Sequence, residues 1–163
     1  MDIHQLLAHY WGYQRFRPLQ EDIIRAVLAG HDTLALLPTG GGKSLCFQVP
    51  AMAQEGICLV VSPLIALMKD QVGALKRRGI PAMAVFSGMS RREIDVALDN
   101  CVYGKYKFLY LSPERLQTDI LIERVKRMNV CLLAVDEAHC ISQWGESFRP
   151  PYAQLAEFRL LLP

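Results

Sequence analysis

Five short apolar runs, each separated from the next by a longer amphipathic stretch, constrain this chain more than any other feature of its sequence. Residues 33–37, 57–61, 82–86, 108–111 and 130–135 are rich in aliphatic and β-branched side chains and have the length of buried strands. Residues 18–29, 43–53, 63–78, 90–103 and 114–128 carry helical periodicity. The punctuation agrees: Pro18 and Pro63 suit a first helical position, Gly30 and Gly79 suit helix ends, and Ser90 with Glu93 forms a capping box. Strands alternating with helices predict an α/β fold, a parallel sheet flanked by helices. Such sheets bind ligands at the carboxyl ends of their strands, so chemistry is expected after Leu37 and after Val135.

After Leu37 comes Pro38-Thr39-Gly40-Gly41-Gly42-Lys43-Ser44, then a helical pattern. Glycines between strand and helix let backbone N–H groups close on phosphate oxygens at the positive end of a helix. Lys43 is expected to reach the β- and γ-phosphates, and the Ser44 hydroxyl to ligate Mg²⁺. The segment departs from the usual phosphate loop at its first position, where Leu37 stands in place of glycine.

After Val135 comes Asp136-Glu137-Ala138-His139, delivered by the run Val130-Cys131-Leu132-Leu133-Ala134-Val135, which reads as a buried strand. A cation bridging two phosphates needs a hard oxygen ligand, and Asp136 suits it. Glu137 is then placed to polarise an attacking water as general base. Together the two motifs predict hydrolysis of a nucleoside triphosphate, with ATP and Mg²⁺ as the groups bound.

Composition narrows the class without naming a ligand. With 52% hydrophobic and 21% charged residues, the chain has the make-up of an ordinary folded domain. A net charge of +2 permits a basic face but does not announce nucleic-acid binding, and Lys76-Arg77-Arg78 and Arg91-Arg92 read as solvated helix surface. Five cysteines without a C-x-x-C pair give neither zinc-ligand spacing nor a disulfide framework; Cys58 and Cys131, inside apolar runs, read as small buried hydrophobes. The N-terminus lacks the regions of a signal peptide. The apolar stretch 57–68 is interrupted at Ser62-Pro63 and too short to cross a bilayer. The expectation is a cytoplasmic protein, nucleoid-associated in a bacterium or nuclear in a eukaryote, with no membrane partner.

Longer matches point to a family. Phe16-Arg17-Pro18-Leu19-Gln20-Glu21, the run from Pro38 through Ser44 to Gln48, Val61-Ser62-Pro63 through Gln71, Tyr110-Leu111-Ser112-Pro113-Glu114-Arg115-Leu116 and Asp136 through Gly145 occur in that order. The chain resembles the RecQ family of DNA helicases over nearly its whole length. The resemblance implies a RecA-like P-loop domain, the first of two motor domains, ending before the third motif. Residues 1–30 would then hold an adenine-recognition element with lead-in helices, and residues 31–163 the core from P-loop to DEAH. It further implies that Gln20 pairs with the adenine edge while Tyr13 and Arg17 stack on its faces, and that His139 relays between nucleotide and DNA. Trp144, Phe148 and Arg149 fall in the family's aromatic-rich loop, where aromatic and guanidinium planes stack on bases of single-stranded DNA. The chain departs from that loop at Glu146 and Ser147, which replace the usual histidine and aspartate.

In the full-length protein the resemblance implies 3′-to-5′ translocation on single-stranded DNA and unwinding of duplex DNA. A second motor domain would supply the arginine that completes the ATP site, so this chain alone is expected to bind nucleotide at most. Three other readings meet the same residues. A DEAD-box RNA helicase would carry Asp where His139 stands, and a small P-loop kinase would need an arginine-rich lid. A non-catalytic nucleotide- or DNA-binding module would be indifferent to loss of Glu137.

Overall fold

The computed structural model describes residues 2–30 and 44–135. It divides into two compact units, residues 1–55 and 56–163. The expected strand 33–37 lies outside the described residues.

In the first unit, α1 (Ile3–Leu6) begins at a capping box: Asp2 accepts from the Gln5 N–H at 2.8 Å, and Gln5 Oε1 accepts from the Asp2 N–H at 2.9 Å. A π-helical turn, Leu7–Trp11, follows and stops at Gly12, whose φ of +73° is cheap for glycine alone. Then come α2 (Gln20–Leu28) and α3 (Leu45–Met52). Ile3, Leu7, Ile24, Leu45 and Val49 form their shared core, with Trp11 and Phe16 packed against it.

The second unit contains β1 (Ile57–Val61), α4 (Ile65–Arg77), β2 (Ala82–Val85), α5 (Arg91–Tyr103), β3 (Phe108–Leu111), a 3₁₀ turn (Pro113–Gln117), α6 (Asp119–Val125) and β4 (Val130–Val135). The strands form one parallel sheet in the order β2-β3-β1-β4, as the alternation of elements predicts. Side chains alternate across it. Ile57, Leu59, Val61, Leu109 and Leu111 meet Ile94, Leu98 and Cys101 of α5 and Leu121 and Val125 of α6. On the opposite face, the hydroxyl of buried Tyr110 donates to Gln71 Oε1 of α4 at 2.7 Å. Helices therefore cover both faces. None among the described residues is long and apolar enough to cross a membrane.

Four local expectations need correction. The helix expected from Pro18 starts at Gln20, because Pro18 and Leu19 are the inner residues of a turn closed by the Gln20 N–H on Arg17 O at 3.1 Å. Pro63 likewise precedes its helix, with Leu64 between them as the N-cap. The helix expected over 114–128 is broken at Thr118, which is extended and donates through Oγ1 to Arg115 O at 2.7 Å. A hydroxyl bonded to the backbone in this way ends the 3₁₀ turn before α6 can begin. Lastly, β4 reads as fully buried but is half-buried at every position. Among the described residues its one strand neighbour is β1, and Cys131 is bulged out of that pairing, since Ile57 pairs with Val130 and Cys58 with Leu132.

Candidate functional site

The expected site draws on both units, and each contributes described residues. In the first, Gln20 opens α2 and is 2% exposed. Its Oε1 accepts from the Arg17 backbone N–H at 2.7 Å, so the turn that precedes the helix fixes the amide's position. An amide oxygen has a second lone pair and its NH₂ two donors, which is the equipment for reading a base edge. The Arg17 side chain is exposed and lines an open cleft of about 380 Å³ with Phe16, Pro18 and Leu19. Tyr13 is 52% exposed just after the turn at Gly12 and is not part of that wall. Arg17 and Gln20 are thus brought together, whereas Tyr13 stands apart from both in the cleft's lining.

Electrostatics beside the cleft are local. The Arg25 guanidinium bonds Glu21 at 2.8 Å and His4 Nε2 lies 2.9 Å from the same oxygen, and these two contacts, Arg25 first, hold the Glu21 carboxyl below its ordinary value.

Ser44 is the N-cap of α3, and its carbonyl accepts from the Gln48 N–H at 2.9 Å. Its side chain makes no capping hydrogen bond, although N-cap serines usually do. The other phosphate-loop residues, Thr39, Gly40, Gly41, Gly42 and Lys43, lie outside the described residues. So do Asp136, Glu137 and His139, and Trp144, Phe148 and Arg149.

In the second unit the carboxyl ends of β2 and β3 are tied together by side chains to which the sequence alone assigns no role. Arg115 Nη2 donates to Phe86 O at 3.2 Å, Ser87 Oγ donates to Glu114, and Lys69 Nζ sits 4.7 Å from the centre of the Phe86 ring. Burial pushes the Glu114 carboxyl up, but the Ser87 hydroxyl leads the contacts that outweigh it, leaving the group below its ordinary value. The signal was present in Ser112-Pro113-Glu114-Arg115; what sequence could not show was that its partners come from the loop after β2. Val61 pairs with Val135 at this same edge, directly before Asp136 in the sequence.

Thiol chemistry is not part of the arrangement. Cys46, Cys58, Cys101 and Cys131 are free. Burial raises Cys46 to about 11, Cys101 to about 12, and Cys58 well above its ordinary value. At neutral pH these groups stay protonated and are poor nucleophiles.

A family model described as DEAD/DEAH box helicase matches residues 17–161. The chain is 47% identical over 158 residues to a probable ATP-dependent DNA helicase RecS of Bacillus subtilis, covering 96% of this chain and 32% of that protein. It is 50% identical over 151 residues to the ATP-dependent DNA helicase RecQ of the same organism, covering 92% of this chain and 26% of that protein. For RecQ of Haemophilus influenzae the identity is 44%, with coverages of 97% and 26%. The chain therefore spans between a quarter and a third of the length of these curated relatives. Among solved structures, the DUF1998 helicase MrfA bound to DNA and AMPPNP superposes with a TM-score of 0.68 at 20% identity, covering 85% of this chain and 21% of that one. At that identity the likeness speaks to the fold.

Proposed function

The chain belongs to the DEAD/DEAH box helicase family, and from that premise we propose that it is the ATP-binding part of a RecQ-type DNA helicase motor. The observation that carries this reading is the family match over residues 17–161, which takes in both the phosphate loop and the Asp136-Glu137-Ala138-His139 segment. Identities of 44–50% to RecQ and RecS proteins supply the family subtype.

In this reading Gln20 holds the adenine edge, with Tyr13 and Arg17 on its faces. Thr39, Gly40, Gly41 and Gly42 wrap the phosphates, and Lys43 neutralises charge on the β- and γ-groups. Mg²⁺ would be held by Ser44 and Asp136, a hydroxyl and a carboxylate of the hard-oxygen type that cation prefers. When bound, the ion supplies charge neutralisation across the bridging phosphates. Glu137 takes the proton of the attacking water, and His139 passes the state of the nucleotide to Trp144, Phe148 and Arg149, which stack on single-stranded DNA. The uncapped Ser44 hydroxyl supports its part in this scheme, since no capping bond competes for it. A second motor domain, carrying the arginine that stabilises transition-state charge, completes the site in the longer protein.

The test is Glu137→Gln in the full-length protein. DNA-stimulated ATP hydrolysis should fall roughly 10²- to 10⁴-fold, the usual contribution of a general base, while ATP binding persists. Unchanged hydrolysis would instead favour a module whose nucleotide site does no chemistry.

A further inference from the structure

We propose that Leu19 is a base-contacting residue, its isobutyl group forming an apolar wall against one face of the nucleotide's purine. The inference rests on the adenine-recognition reading above and adds to it a residue which that reading does not use.

Leu19 is the one residue other than glycine with positive φ among the described residues, at φ +73° and ψ −19°. It occupies the third position of the turn from Arg17 to Gln20, with Pro18 second and the Gln20 N–H bonded to Arg17 O. That position of a type II turn favours glycine or asparagine, because a Cβ crowds the backbone there. The side chain is also 61% exposed. Leucine at this point thus carries backbone strain and exposes an aliphatic group, and its contacts within the fold offset neither.

What leucine does gain is a place in the cleft. It lines the wall with Phe16, Arg17 and Pro18, one residue before the buried Gln20 amide. The same turn sets both side chains, since Gln20 Oε1 is anchored on the Arg17 N–H. A purine is polar at its edge and apolar on its faces. An amide fixed to read the edge, with an aliphatic group beside it in the sequence and exposed to the cleft, suits both parts of that ring. Strain held at a binding element is the usual sign that a local conformation serves a ligand.

The experiment compares fluorescence titrations with N-methylanthraniloyl-ATP and thermal melts for the unaltered chain, Leu19→Gly, Leu19→Asn, Leu19→Met and Gln20→Ala. Glycine and asparagine both accept the left-handed conformation. Their variants should melt no lower than the unaltered chain, yet bind the nucleotide roughly five- to tenfold more weakly, as expected when one aliphatic side chain no longer packs on the base. Leu19→Met should restore most of the affinity. Binding unchanged in both Leu19→Gly and Leu19→Asn overturns the inference, whatever Gln20→Ala does. If Gln20→Ala alone weakens binding, only the role of Leu19 fails. If Gln20→Ala and the Leu19 variants all bind normally, the adenine-recognition reading fails with it, and no saturable binding by the unaltered chain overturns both.

Discussion

Glu114 shows how a single residue can report on the sheet's carboxyl edge. Its carboxyl lies below its ordinary value of 4.5, so it stabilises the fold when ionised. That contribution is fully present above the unfolded value and is lost as pH falls through the lower folded value. The unaltered chain should therefore melt higher than Glu114→Gln near neutral pH, and the two melting curves should converge below pH 4.5. A gap that stays constant down to acid pH would show that the Ser87–Glu114 contact does not depend on charge. At this scale the sequence was informative about residue type and silent about partners. Arg17, Gln20 and Ser44 were legible as motif members. That Gln20 is anchored by the Arg17 N–H, and that Ser87 meets Glu114, depends on turns and crossovers that no local pattern encodes.

Elements were read best where one force dominates. Strands β1 and β3 match the apolar runs residue for residue, because continuous burial on both faces leaves no ambiguity of period. The capping box at Ser90 likewise forms as its spacing predicts, with Glu93 N–H donating to Ser90 Oγ at 3.1 Å. Errors fell where backbone geometry outweighs pattern: Leu19 in the left-handed region delays α2, and the Thr118 side chain divides 114–128 into two pieces. The tie between α5 and α6 was also invisible in sequence. Arg124, its side chain 16% exposed, bonds Asp95 at 2.7 Å and Asp99 at 3.1 Å, two carboxylates one turn apart on α5. Arg124→Ala should cost about 1 kcal/mol, a modest loss because both aspartates are about half-exposed and regain water. Urea denaturation would measure it, and an unchanged midpoint would mean that packing of Leu121 and Val125 alone seats α6 on α5 and the sheet.

For the whole molecule, alternation of strands and helices was enough to predict a parallel sheet covered on both faces, and the second unit has that architecture. The order β2-β3-β1-β4 was not legible, because periodicity fixes each element's buried faces but not which strand lies beside which. Family membership then assigns the expected chemistry to residues that follow strands, where parallel sheets bind their ligands. The central claim is that this chain binds ATP through the phosphate loop, and calorimetric titration with ATP and Mg²⁺ tests it most directly. The account predicts saturable binding by the unaltered chain. In Lys43→Ala it predicts affinity lower by roughly ten- to a hundredfold, the loss of a charge-assisted contact of about 1.5–3 kcal/mol. Equal binding by both proteins, or no binding by a chain whose circular dichroism shows it folded, would contradict it.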